Sequence, residues 1–120
     1  SAYIAVYLTK PDGSYDSTLW VSGTKQRYLG DLMGWVSAMR NSGATSLNLD
    51  GITGASIGAG QTLTVKADLA DALIDAGYKI HVETAVENGG DFADDAVAPL
   101  SATPQSVDGT GYVGKLAVSM

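Results

Sequence analysis

The chain has no cysteine. That excludes disulfide staples, thiolate zinc sites, iron–sulfur clusters and a cysteine nucleophile, and it leaves the redox compartment open. Positive charge is scarce: 7 Lys and Arg stand against 13 Asp and Glu, a formal net charge of −6. No basic run occurs, so neither a nucleic-acid backbone nor an anionic lipid surface is an expected partner. No apolar run approaches the roughly 20 residues needed to cross a bilayer, so no direct membrane insertion is expected. There is a single histidine and no G-x-S-x-G, which argues against a free-standing serine hydrolase. No signal peptide is visible ahead of the strand-like start at Ser1.

What the chain does have is a hydrophobic fraction of 45% over 120 residues, too apolar for disorder and enough for one core. Residues 1–120 therefore read as a single domain with no linker and no repeat. Period-two alternation marks strands at Tyr3–Leu8, Thr62–Leu69, Ile80–Glu87 and Lys115–Ser119, each with one buried and one wet face. Turn signals stand at Pro11-Asp12-Gly13 and Asn88-Gly89-Gly90. One segment differs: in Tyr28–Asn41, Leu29, Leu32, Met33, Val36 and Met39 recur at spacings of three and four, which predicts a helix stopped by Asn41-Ser42-Gly43. Leu69–Ala76 reads as a helical turn or a long connection ended by Gly77. Six or seven strands with one inserted α-helix predict a mainly β fold, an Ig-like antiparallel β-sandwich.

Two constellations carry potential chemistry. His81, Glu83 and Glu87 fall on one face of a strand, where side chains at i, i+2 and i+6 project together toward a metal or simply line a solvated face. The solvated face is the commoner arrangement, and no metal is expected. The second is the run Asp50-Gly51-Ile52-Thr53-Gly54-Ala55-Ser56-Ile57-Gly58-Ala59-Gly60-Gln61-Thr62. It fails as a phosphate loop because Gln61 stands where the triphosphate-binding Lys belongs. It fails as a dinucleotide fingerprint because Leu63 follows Gly58-Ala59-Gly60 in place of a third Gly.

Asp50-Gly51-Ile52-Thr53-Gly54-Ala55-Ser56 resembles the acceptor motif for covalent flavin attachment, in which an ApbE-type flavin transferase moves the FMN half of FAD onto a Thr or Ser hydroxyl. The acceptor implied is Ser56, with Asp50 aiding recognition, Thr53 between them, and Gly54 and Ala55 removing bulk beside it. The hydroxyl is a weak nucleophile, so activation must come from the transferase.

The rest of the chain resembles a bacterial family of predicted periplasmic proteins, domain of unknown function 2271. The resemblance rests on Tyr3-Ile4-Ala5-Val6-Tyr7, Trp20, Lys25, Arg27-Tyr28-Leu29, Asp31-Leu32, Trp35, the Asp50 to Ser56 segment, Gly77-Tyr78, His81-Val82-Glu83 and Glu87-Asn88-Gly89-Gly90, in that order. It implies an export signal preceding these residues, a periplasmic address, an Ig-like sandwich, and a PepSY-type membrane redox partner besides the flavin transferase. Where the family has Arg and a Pro-Gly turn after the acceptor, this chain has Ile57-Gly58-Ala59-Gly60.

Trp20, Tyr28 and Trp35 are candidates to stack on the flavin ring, with core packing as the alternative. Trp35 lies off the clean helical stripe and is expected to flank the core. The function expected is a periplasmic electron-transfer domain carrying FMN in phosphoester linkage to Ser56, a redox carrier more than a stand-alone enzyme. The alternative is a non-enzymatic periplasmic binding or adaptor module on the same fold.

Overall fold

The computed structural model describes residues 3–22, 32–43, 53–54 (backbone), 60–86 and 89–120. Its strands are β1 (Tyr3–Thr9), β2 (Tyr15–Ser22), β3 (Thr53–Gly54), β4 (Lys79–Ala85), β5 (Asp91–Pro99), β6 (Gln105–Asp108) and β7 (Lys115–Val118). Helix α1 (Met33–Asn41) lies between β2 and β3, and a 3-10 turn (Asp71–Leu73) precedes β4. The main sheet runs β3-β2-β1-β4-β5; β6 and β7 form a separate hairpin. All pairs are antiparallel except β2–β3, so α1 belongs to the crossover that joins a parallel pair.

The segment Tyr3-Ile-Ala-Val-Tyr-Leu-Thr is rich in β-branched and aromatic residues and forms the central strand. The expectation of one wet face fails here: Ile4 through Thr9 are all buried. Ala5, Tyr7, Val21 and Ala85 pack beneath Leu32, Trp35 and Met39 of the helical segment. On the opposite face Ile4, Val6, Leu8, Ile80, Val82, Ala96 and Leu100 are covered by Leu63, Leu69, Leu73 and Ile74 and by Val113, Leu116 and Val118. A strand clad on both sides reads as a continuous apolar run, and the small Ala5 beneath the bulky Trp35 disguised it as alternation.

The first expected hairpin turn is present; at the second, Asn88 lies outside the described residues, and Gly89 N–H donates to the Val86 carbonyl at 3.0 Å where β4 gives way to β5. At the first, Gly13 has φ +90° and its N–H donates to the Lys10 carbonyl at 2.8 Å. The Asp12 carboxylate accepts from the Ser14 amide and hydroxyl at 2.9 and 2.6 Å, and those bonds hold it below its ordinary pKa. The helix ends where expected: Ser42 Oγ donates to the Met39 carbonyl at 2.6 Å and Gly43 takes φ +90°. Its described part begins at Met33; Tyr28 to Asp31 lie outside the described residues. The expected strand at Thr62–Leu69 is not one. Leu63, Val65 and Leu69 are half-buried between exposed neighbours, but the segment lies on the face of the sheet and joins no ladder. Alternating burial requires only that every second side chain meet a core.

The result is mainly β with one helix, the sheet and the hairpin packed as two layers.

Candidate functional site

Thr53 and Gly54, the middle of the acceptor-like motif, form β3 on the rim of the sheet, with Thr53 opposite Val21 and Gly54 opposite Ser22. Asp50, Ala55, Ser56 and Tyr28 lie outside the described residues. Thr53 continues a row across the sheet: Val21 pairs with Ala5, and Ala5 with Glu83. The motif and Glu83 thus share one level of the fold, about 14 Å apart at ordinary strand spacing.

The two tryptophans fall on opposite faces. Trp20 is next to Val21 on β2, opposite Val6, and packs half-buried on the face carrying Ile4, Val6 and Leu8. Its indole N–H is buried and has no hydrogen-bond partner among the described residues. Trp35 sits on the helix side, 0% exposed. Its Nε1–H donates to Thr18 Oγ1 at 2.9 Å, and Tyr15 Oη lies 2.7 Å from the same hydroxyl. The expectation that Trp35 only flanks the core is therefore corrected. The buried stripe is Leu32, Trp35 and Met39, while Met33, expected inside, is 64% exposed.

A second group of polar side chains lies on the helix side of β1, β4 and β5. His81 is half-buried, with Nε2 2.8 Å from Thr9 Oγ1 and Nδ1 2.9 Å from Asp94 Oδ1. Its ring stacks on Tyr7 at 5.0 Å with 12° between planes. Burial pushes the Tyr7 phenol well above its ordinary pKa, helped by the negative charges of Asp94, Glu83 and Asp91. Glu83, expected on a wet face, is fully buried. Its carboxyl accepts from the helix N-terminus: Gly34 N–H to Oε2 at 3.0 Å and Trp35 N–H to Oε1 at 2.7 Å. Burial and a hydrogen bond with Asp91 push its pKa up to about 8, against the lowering effect of those two amides. Glu87 lies outside the described residues, so the expected trio of His81, Glu83 and Glu87 is not assembled among them; nor is any three-residue group of His, Asp or Glu there disposed to hold a metal.

Gly34 explains why the helix can reach that carboxyl. A Cβ on it would stand 3.0 Å from Ala93 Cβ and 3.3 Å from Glu83 Oε2. The N-terminus has no side-chain cap of its own; Leu32 precedes the helix. A residue distant in sequence supplies the cap, so no local Ser, Asp or Asn signal marks it.

Asp95 is the other residue that sequence reasoning missed. It is fully buried on β5 and accepts from the Thr84 hydroxyl and from the backbone N–H groups of Thr110, Gly111, Tyr112 and Val113. Burial alone would raise its pKa; the Thr84 hydroxyl and the amides of Gly111, Val113 and Thr110 outweigh that and hold it low. The signal was present in Asp94-Asp95, two acids inside a strand where acids are disfavoured. Between the pairs Val82–Ala96 and Thr84–Phe92 the register breaks, and this bulge lets Asp94 reach His81 while Asp95 reaches the loop.

At the opposite end of the strands from the motif, Asp75, Tyr78, Lys79, Pro99, Ser101 and Gln105 line an open hollow of about 280 Å³.

Among the described residues no helix is long and apolar enough to cross a membrane. No curated protein and no solved structure matches the chain. A family model does, over residues 1–115, nearly the whole length, and its description is predicted periplasmic protein. The address expected from the resemblance is thus the family's own. The chain is a member of the periplasmic DUF2271 family.

Proposed function

We propose that this protein is a periplasmic electron-transfer domain, built on an Ig-like sandwich, that carries FMN in phosphoester linkage to Ser56. In the attachment step Ser56 Oγ attacks the FMN phosphorus of FAD. A new P–O bond forms, the pyrophosphate P–O bond breaks, AMP leaves, and a base of the flavin transferase takes the hydroxyl proton. The bound flavin supplies the redox chemistry; the chain tethers it. A PepSY-type membrane redox protein is the proposed electron partner.

The observation that carries this reading is the motif's position: among the described residues Thr53 and Gly54 occupy the outermost strand of the sheet, with no described strand between them and a docking enzyme. The indole N–H of Trp20, buried and without a partner among the described residues, lies one residue from the strand pair that holds β3 and supports it further. A buried donor without an acceptor is costly, and a flavin carbonyl or ring nitrogen is a fitting partner. Trp35, sealed in the core, has no exposed face for a ring.

The test is intact mass after co-expression with a flavin transferase and export to the periplasm. The expected result is a gain of one FMN unit that Ser56→Ala abolishes. An unmodified wild-type chain under those conditions overturns the reading.

The second reading, a binding or adaptor module, is favoured by one observation. Phe92 of β5 and Tyr112 of the loop between β6 and β7 are 37% and 48% exposed and meet edge to face at 5.2 Å, forming an exposed aromatic pair at the far side of the sheet.

A further inference from the structure

We propose that Phe92 and Tyr112 form an aromatic corner that binds a methylated ammonium cation, seated above the buried carboxylate of Asp95. Both rings are exposed, and they meet at 87° with centroids 5.2 Å apart, one from the start of β5 and one from the loop after β6. Rings at right angles offer two faces to one guest, and each face carries the negative part of the ring quadrupole. Among the described residues no Lys or Arg of the chain lies over either ring.

The corner is built before any guest arrives. Asp95 Oδ1 accepts from the Gly111 N–H at 2.8 Å and Oδ2 from the Tyr112 N–H at 2.8 Å, so the backbone that carries the phenol ring is pinned to β5. A Cβ on Gly111 would collide with Phe92 Cγ, and one on Gly90 would stand 3.4 Å from Phe92 Cε2; bare backbone therefore lies against that ring. Rings held in place need no further ordering on binding.

Charge decides the class of guest. Four backbone N–H groups and the Thr84 hydroxyl converge on Asp95, the surroundings of an ionised carboxylate. Yet this group is fully buried and has no Lys, Arg or His partner among the described residues. A buried charge ordinarily has a charged partner, and its field is screened less through protein than through water. Asp91 and Asp94 stand exposed on the same strand as Phe92, and the whole chain carries −6. A negative field behind aromatic faces selects a cation. A metal ion demands several oxygen ligands, which rings do not supply. A cation clad in methyl groups packs against the rings directly. Two side chains are too small an area for a stable protein interface. The inference rests on the second reading, a binding module, and names its ligand class; it does not depend on FMN at Ser56.

The experiment titrates the intact chain with tetramethylammonium chloride and follows the ring ¹H–¹³C signals of Phe92 and Tyr112 and the Gly111 amide. Parallel titrations use tert-butanol, a neutral guest of similar shape, and glucose, all at one ionic strength set with sodium chloride. Saturable shifts at the corner are expected, with tetramethylammonium bound about fivefold more tightly than tert-butanol. Phe92→Leu and Tyr112→Leu should each weaken it by a similar factor, while the Thr110 and Val113 amides keep their positions on Asp95. An equal response to tert-butanol would reduce the pair to an apolar patch and overturn the inference. A response to glucose in place of the cation would overturn it and leave a binding module standing. Silence toward all three would overturn it and remove the support that this pair lends to the module. Should either variant fail to fold, the wild-type comparison of tetramethylammonium with tert-butanol decides the matter.

Discussion

Single side chains make the connections that the sheet does not. Asp95 gathers four backbone N–H groups of the 110–113 segment, which otherwise have no ladder to join. Asp95→Asn puts a donor where an acceptor is needed and leaves buried amides unpaired, so a loss of about 3 kcal/mol is expected by urea denaturation. The pH signature is opposite to that of Glu83, whose pKa burial raises. Because its contacts hold Asp95 low, its contribution is complete above the ordinary carboxylate value of about 3.9 and is lost as pH falls through the depressed one. Acid unfolding should therefore be steeper in the wild type than in Asp95→Asn. Roles of this kind were the least legible in the sequence. Glu83 reads as a polar residue in an alternating strand, and only the tertiary packing of α1 shows that its partners are amides 48 and 49 residues away.

Elements were more legible than residues wherever local chemistry decides them. The turn at Asp12-Gly13, the stop at Ser42-Gly43 and strands β4 and β7 all follow from side-chain type and spacing. Elements decided by their neighbours were misread: β1 is clad on both faces, and the 62–69 segment alternates without pairing. The helix stripe was read through Met33, and the choice of Trp35 as its buried residue depends on which face meets Ala5 and Tyr7. Gly34 shows the same conflict between local and tertiary preference. Helix propensity favours Ala there by about 1 kcal/mol, yet a Cβ would stand 3.0 Å from Ala93 Cβ on β5. Overpacking costs about 1–3 kcal/mol, so Gly34→Ala is expected to lose roughly 1 kcal/mol net. A gain in the denaturation midpoint would show that α1 can lift away from β5 without cost.

At the level of the molecule, two layers depend on each other. The face carrying Ile4, Val6, Leu8, Ile80 and Val82 is closed in part by Val113, Leu116 and Val118 from the region of the β6–β7 hairpin. A chain ended after Ser101 should expose that face, bind a hydrophobic dye and precipitate, whereas the intact chain should do neither. The mainly β class with one helix and the family were both legible from the whole sequence, because ordered short motifs survive where any one alone says little. The motif's chemistry rests on Ser56, and sequence alone speaks for that residue.

Among the described residues β5 ends the main sheet, and an open strand edge ordinarily invites other chains to add to it. This one is spoiled along its length. Asp91 and Asp94 place negative charge on it, the bulge breaks its pleat, the Thr110 amide occupies the Asp95 carbonyl, and Pro99 closes the end without a donor. Such a rim resists fibril growth and strand swapping, so a concentrated preparation should remain free of cross-β aggregates for as long as the hairpin stays docked.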